Sequence, residues 1–365
     1  MPLKMLKFNS LKVVTVTPDA EDAIEIALEV PAQLAAQYRG SPGQHVVVRA
    51  ELEGEELRRT YSLVSAPGAV PLRIVPRVHA HGRMSRHLAE AVRAGDCLEV
   101  LPPNGSFTPR SDPAGGTYVA CAAGCGITPV ISVVRALLEG GAQQVLLFYG
   151  NTGTARTMCL EELLALKDRY LARLAVHFLM SREPQEVELY NGRLDAQHLR
   201  AFAARLFDPS AVREYFLCGP GDMIASLGAV LQELHVDPAR IHAEHFTLEG
   251  TGAPQAPAGP EAAAAASLPA SGEVEVSVLM DGRRRSFTMK LESETVLDGA
   301  ARAGIELPFS CRAGVCSTCR TKVVRGTVSM AQNYALEDWE LEQGYVLACQ
   351  SHVQRGPLEL DYDER

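Results

Sequence analysis

The sequence has no long apolar run. Its longest uncharged stretch, Pro113–Val134, is broken by four glycines and two prolines, so it cannot cross a membrane as a helix. The opening MPLKMLKFNS carries no apolar core of a secretory signal. No membrane and no secretion are expected, and the expected location is cytoplasmic. An excess of basic charge is also missing: 35 Lys and Arg stand against 44 Asp and Glu, a net charge of −9. Nothing in that balance draws the chain to a phosphate backbone, so nucleic acid is not an expected partner. No internal repeat is present. Nine cysteines in 365 residues are too sparse for the disulfide scaffold of a small secreted protein.

What is present is a chain for about two to three domains, 47% apolar, with abrupt shifts of composition. Residues 248–272, LEGTGAPQAPAGPEAAAAASLPASG, are almost all Ala, Pro, Gly and small polar residues. They cannot bury a core and read as a flexible linker. Residues 1–112 hold short β-rich runs (LKVVTVTP, AIEIALEV, HVVVRAEL, RTYSLVS, LRIVPRV) between turn signals, the pattern of an antiparallel barrel. One helix is expected near Ser85–Ala94. Residues 113–247 alternate strand and helix: TYVACAAG, TPVISVVRALLEGG, QVLLFYG, LEELLALKDRYLA, LAVHFLM, EYFLCGP. This predicts a parallel, doubly wound α/β domain with its ligand at the carboxyl ends of the strands. Residues 273–365 form a last, small domain.

Four of the nine cysteines crowd that last domain. Cys311, Cys316 and Cys319 read C-x4-C-x2-C, and Cys349 follows after 29 intervening residues. This is the plant-type [2Fe–2S] ligand spacing. Three thiolates must converge on one small cluster, so one tight loop has to wrap it. Ala313, Gly314, Val315, Ser317 and Thr318 are compact enough for that approach. Zinc and four free thiols are the alternatives. Residues 273–365, with the runs EVEVSVLM, RSFTMKL, TVLDGAARAG and YVLACQS, resemble the plant-type ferredoxins. The resemblance implies an α+β (β-grasp) fold with Cys311, Cys316, Cys319 and Cys349 as cluster ligands.

Three segments of the first 112 residues occur in a telling order: Arg59-Thr60-Tyr61-Ser62, then Gly82-Arg83-Met84-Ser85, then Pro102-Pro103-Asn104-Gly105-Ser106-Phe107. Strand alternation puts Arg59 and Tyr61 on one face and Ser62 on the other. A helix opening at the second segment offers N–H groups to a pyrophosphate; a plain Ser85 cap is the alternative. Farther on, Gly124-Cys125-Gly126-Ile127-Thr128-Pro129 lies between a strand and a helix, and Cys218-Gly219-Pro220 ends a strand.

Residues 1–247 thereby resemble the ferredoxin–NADP reductase superfamily. The resemblance implies bound FAD: Arg59 toward the flavin pyrophosphate, Thr60 among the cofactor-binding residues, Tyr61 packed on the ring, and Ser62 near flavin N5. It adds contacts from Val75 and Arg77, and Gly82, Met84 and Ser85 at the diphosphate. Pro42-Gly43-Gln44 also matches, but His45 stands where the family usually has an aromatic. Gly124, Gly126 and Thr128 would form the nicotinamide nucleotide turn, with Cys125 replacing the usual Ser or Thr. Cys218, Gly219 and Pro220 would flank the nicotinamide, and Glu244 would relay a proton unless it is a surface carboxylate. Ser181 and Arg182, helped by Arg193, would read a 2′-phosphate, so NADPH is expected over NADH. Cys97, Cys121 and Cys159 read as core cysteines.

The fused order of flavin, nicotinamide and ferredoxin parts is that of reductases of bacterial multicomponent oxygenases. It implies electron transfer from NADPH through FAD and [2Fe–2S] to an oxygenase component, a di-iron monooxygenase first. A ring-hydroxylating dioxygenase, a desaturase-type di-iron protein, and a low-turnover electron-carrier or redox-sensing module are the alternatives.

Overall fold

A computed structural model describes residues 7–246, 272–291 and 293–364. These fall into two compact units, one within Phe8–Glu249 and one within Gly250–Arg365. The expected linker, residues 248–272, lies outside the described residues except for Gly272.

The first unit opens with six strands: β1 (Asn9–Ala20), β2 (Ala23–Glu29), β3 (His45–Leu52), β4 (Glu55–Ser62), β5 (Leu72–Ile74) and β6 (Cys97–Val100). They pair antiparallel in the order β4-β3-β6-β1-β2-β5. The sheet curls until the chain just past β4 meets β5, through a Leu63–Ile74 bridge and a Val64-to-Arg73 amide bond of 3.0 Å. Inward residues such as Leu11, Val13, Ile26, Leu28, Val46 and Val48 fill the barrel. β6, four residues long, was not expected. Helix α1 (Arg83–Glu90) starts two residues earlier than predicted, because Gly82 rather than Ser85 holds the N-cap position.

The second layer is a five-stranded, wholly parallel sheet. β7 (Thr117–Ala123), β8 (Gln144–Asn151), β9 (Leu174–Met180), β10 (Val212–Gly219) and β11 (Ile241–His245) take the order β11-β10-β7-β8-β9. Helices α2 (Ile127–Glu139), α3 (Leu160–Arg169), α4 (Ala196–Ala203) and α5 (Gly221–Glu233) connect the strands. The strand order reverses between β7 and β10, and such a switch point opens a crevice at the carboxyl ends.

α2 is apolar on nearly all sides and almost wholly buried, the mark of a helix enclosed by protein. Its polar residues reach into the barrel: the Ser132 hydroxyl accepts the Gly43 N–H at 2.9 Å, and Arg135 donates to the Val64 carbonyl at 2.7 Å. Nearby, the buried Glu214 carboxylate accepts from the Ser111 hydroxyl and from the amides of Arg110 (3.0 Å) and Ser111 (2.6 Å), and it lies 2.7 Å from His242 Nε2. No helix of the described residues is long and apolar enough to cross a membrane.

The second unit is a mixed sheet. β12 (Glu273–Met280), β13 (Arg283–Lys290), β14 (Arg320–Met330), β15 (Tyr345–Leu347) and β16 (Ser351–Asp361) take the order β13-β12-β16-β14-β15. Only β12 and β16 run parallel. Helix α6 (Val296–Arg302) packs tightly on β13: a side-chain carbon at Gly299 would lie 2.9 Å from Met289 Cβ. A short helix, α7 (Asp338–Glu342), precedes β15.

The Glu214 network sets an acid limit. Burial works to raise its carboxyl, but the hydrogen bonds from His242, Ser111 and the two amides outweigh burial and hold it at about 2, below an ordinary 4.5. A carboxylate depressed in the folded state stabilises above its unfolded value, and that stability is lost as pH falls from 4.5 toward 2. The linkage is worth up to ~3 kcal/mol. Urea melts of wild type and Glu214→Gln should therefore differ most near neutral pH and converge as pH drops. A gap that stays constant would show that Glu214 is not the titrating group.

Candidate functional site

All nine residues expected around the flavin line one cleft. Arg59, Thr60, Tyr61 and Ser62 come from the end of β4; Val75 and Arg77 follow β5; Gly82, Met84 and Ser85 open α1. The cleft wraps the strand end, so it collects residues from both faces of β4. No side chain caps α1. The first N–H groups of a helix lack intrahelical partners and attract anions. Ser85 is buried within the helix and its hydroxyl accepts the His79 N–H at 3.3 Å. The Ser62 hydroxyl is buried with no hydrogen-bond partner among the described residues. A buried polar atom left unpaired is costly unless a ligand completes it. An orphaned hydroxyl, a guanidinium and an uncapped helix start suit a flavin dinucleotide.

Arg77 is more committed than expected. Its guanidinium lies 3.4 Å from Asp22 and donates to the Arg156 carbonyl at 2.9 Å. Arg156 itself pairs with Asp22. The turn between β1 and β2 is thus fastened to the segment after β8.

From the nucleotide sheet, Cys125 and Thr128 reach the same cleft. Gly124 takes φ +54°, a left-handed conformation that favours glycine. A side-chain carbon on Gly126 would fall 2.1 Å from the Cys218 carbonyl oxygen, so the turn after β7 and the end of β10 touch through backbone alone. Cys218 is fully buried, and burial, then the Glu244 carboxylate, push its thiol well above the ordinary range. Gly219 is buried and Pro220 exposed at the start of α5. Glu244 is no surface group: it is 9% exposed and pairs in register with Cys218.

Ser181, Arg182 and Arg193 do not line this cleft. They gather at the carboxyl end of β9, where a parallel bridge joins Met180 to Asn191. Arg182 and Arg193 each lie two residues beyond that bridge and both are exposed. The Ser181 hydroxyl donates to the Asn151 carbonyl at 3.2 Å. Among the supposed core cysteines, Cys121 and Cys159 are buried but Cys97 is exposed, because it stands at the edge of the short β6. Sequence reasoning missed His79 and Phe246 in the cleft wall; Phe246 sits two residues after Glu244, and that spacing was its only signal.

In the second unit Cys311, Cys316 and Cys319 lie on the loop before β14, and Cys349 lies between β15 and β16. Their thiols are close enough to influence one another in the succession Cys316–Cys311–Cys349–Cys319. Among the described residues no His, Cys, Asp or Glu group closes on one ion-sized point. The Ala313 N–H points at the Cys311 sulfur (3.3 Å), and the Gln350 amide reaches the Cys349 sulfur (3.6 Å) and the Arg312 carbonyl (2.9 Å). Gly314 is left-handed at φ +73°, and a side-chain carbon there would lie 3.0 Å from the Gln332 carbonyl oxygen. Four adjacent thiols with N–H donors suit an iron–sulfur cluster, whose sulfurs accept such bonds. Cys311 is partly exposed; the other three are buried.

Three family models match in order: an oxidoreductase FAD-binding domain over residues 11–108, an oxidoreductase NAD-binding domain over 121–228, and a 2Fe-2S iron-sulfur cluster binding domain over 278–354. The chain is 36% identical over 366 residues to a component of the 1,2-phenylacetyl-CoA epoxidase of Escherichia coli (strain K12), covering 99% of both. The chain belongs to the ferredoxin–NADP reductase superfamily, in the form that carries a fused [2Fe–2S] domain. Another member, the ferredoxin reductase component of 3-ketosteroid-9-alpha-monooxygenase from Rhodococcus rhodochrous, is 32% identical over 96% of each chain. The fold is also that of phthalate dioxygenase reductase, with a TM-score of 0.59 at 23% identity over 97% of this chain and 98% of that one. As a superfamily member this chain is an NAD(P)H-dependent oxidoreductase that uses FAD, a nicotinamide nucleotide and a [2Fe–2S] cluster.

The contact at Gly126 yields a test. Gly126→Ala must part the β7 turn from Cys218, because the obstructing atoms are backbone. Anaerobic bleaching of the flavin by nucleotide should slow by about tenfold or more, with flavin and iron content unchanged. Wild-type bleaching would show that the contact is not needed.

Proposed function

We propose that this reductase passes electrons from NADPH to a di-iron monooxygenase in the cytoplasm, and that its acceptor is the oxygenase part of a phenylacetyl-CoA epoxidase. The observation that carries the acceptor is the 36% identity over 99% of both chains to a phenylacetyl-CoA epoxidase component. Bound flavin supplies what the two other cofactors lack, a centre that takes electrons in pairs and gives them up singly.

The chain's own residues bind, orient and shield. Arg59 and Thr60 hold the diphosphate together with the α1 start at Gly82, Met84 and Ser85. Tyr61, Val75 and Arg77 bound the ring, and the Ser62 hydroxyl hydrogen-bonds beside its reactive nitrogen. Gly124, Gly126 and Thr128 seat the nucleotide, while Cys218, Gly219 and Pro220 flank the nicotinamide. The burial of Cys218 keeps its thiol protonated and keeps water from that contact. Glu244, buried beside it, takes up or returns a proton. Cys311, Cys316, Cys319 and Cys349 ligate the cluster, and the linker at 248–272 joins the two units.

Choice of NADPH rests on Arg182 and Arg193, both exposed, each two residues beyond the Met180–Asn191 bridge, and pairing with no acidic residue among the described ones. A planar guanidinium without a carboxylate partner is a good phosphate reader. A second reading, service to a different oxygenase, draws on the 32% identity to the 3-ketosteroid monooxygenase component.

An anaerobic titration tests the pathway: NADPH should bleach the flavin first and then reduce the cluster, and NADH should do so less efficiently. Purified epoxidase oxygenase should then be reduced and turn over. Oxygenase left oxidised while the cluster is reduced would reject that acceptor. Arg182→Ala should lower kcat/KM for NADPH about tenfold, near the worth of one charge-assisted hydrogen bond, and leave NADH almost unchanged. An equal loss with both nucleotides would remove Arg182 from phosphate recognition.

A further inference from the structure

His45 has no part in the function proposed above, yet it stands directly beside the cleft. It opens β3 and pairs in register with Ser62, so both side chains leave the same face of the sheet. Glu244, in β11, pairs in register with Cys218. His45 Nδ1 lies 3.6 Å from Glu244 Oε1, with both side chains buried. One contact therefore joins the barrel to the nucleotide sheet, between the register neighbour of Ser62 and the register neighbour of Cys218.

The surroundings hold the ring in place. His45 exchanges two backbone hydrogen bonds of 2.9 Å with Asn104. Gly105 next to it takes φ +118°, and a side-chain carbon there would lie 3.0 Å from His45 Nδ1. Only glycine lets the turn close over the imidazole this way. On the other side, the second carboxylate oxygen of Glu244 is buried without a hydrogen-bond partner. At 3.6 Å the contact of Glu244 with His45 Nδ1 is at ion-pair distance, longer than a hydrogen bond, and it crosses from the nucleotide sheet to the barrel.

We propose that His45 and Glu244 form a clamp across the seam that sets the spacing between Ser62 and Cys218, making His45 a positioning residue for hydride transfer. The proposal rests on the placement of flavin at Ser62 and nicotinamide at Cys218. An imidazole donates to or pairs with a carboxylate; a phenyl ring fills the same space but cannot. Without the tie, β11 and the end of β10 are free to drift from the barrel, and reacting groups that drift by about 1 Å lose up to 10²-fold in rate.

The test uses full-length holoprotein under anaerobic stopped flow with NADPH. The variants are His45→Phe, His45→Gln, Glu244→Gln and the double His45→Phe/Glu244→Gln. Three quantities are read: the flavin bleaching rate, the NADPH dissociation constant, and the long-wavelength charge-transfer absorbance of stacked nicotinamide and flavin. His45→Phe should bleach about tenfold more slowly with a weakened charge-transfer band, while the dissociation constant moves less than about threefold. His45→Gln, which keeps a donor, should stay within about threefold of wild type. The double variant should be no slower than the slower single one, as expected of two groups acting through one contact.

Wild-type rate and band in His45→Phe, or losses that multiply in the double variant, would overturn the clamp. If His45→Phe does not retain FAD, His45→Ala takes its place in the cycle under the same criteria. Ser62→Ala and Cys218→Ala run alongside. If both bleach like wild type, the placement of the cofactors fails and the clamp with it. If both slow while the His45 variants do not, the clamp alone fails.

Discussion

The two layers of the first unit are joined by buried polar groups that find partners across the seam. A buried polar group without a partner costs several kcal/mol, so each such pair restricts how barrel and sheet can sit together. Arg135 needs the Val64 carbonyl, Ser132 needs the Gly43 amide, and Glu214 needs Arg110 and Ser111. Apolar packing by α2 supplies the bulk of the attraction but little direction. The hydrogen bonds supply direction. The cleft lies where this seam reaches the surface, which is why residues from the end of β4 and from the turn after β7 line one wall.

The seam's second edge is ionic. Asp22 pairs with both Arg77 and Arg156, and the Asp19 carboxylate accepts the Cys159 N–H at 3.0 Å. Burial foremost raises the Asp19 carboxyl, against the Cys159 amide that lowers it. Exposed ion pairs contribute little to stability, but these are partly buried and join segments far apart in the chain. Their effect is to fix the β1–β2 turn on the segment after β8, a geometric role more than an energetic one.

Legibility in the sequence followed the range of the interactions. The 2Fe-2S domain could be read from spacing, because three of the four clustered cysteines fall within nine residues and the wrapping is local. The turn at Gly124–Thr128 and the Arg59–Ser62 run were legible for the same reason. β11 was not: its inward residues are His242 and Glu244, so no apolar alternation marks it as a strand. β6 is too short to show a period, and β14 is mostly exposed or half-buried along its length. α1 was misplaced by two residues because a glycine, not the serine, caps it. Glu244 was readable only as a weak candidate. It meets His45, which is about 200 residues away in the chain, and no local pattern records that meeting.

The two cofactor sites place opposite demands on their surroundings. A hydride must move between two rings without water between them; Ser62, Cys218 and Glu244, the residues proposed for that transfer, are buried, and the contact at Gly126 is closed to the point of excluding a methyl group. Single electrons need no such enclosure, only a short path to an exposed edge. The cysteine loop fits that need: three of the proposed ligands are buried and Cys311 is left partly open, beside an Arg312 that pairs with Asp298 at 2.7 Å and stacks on Phe309. The sealed site cannot serve a bulky protein acceptor, and the open one cannot order a hydride transfer. Placing them in separate compact units lets each satisfy its own requirement, and the flavin at the sealed site is what makes the two compatible.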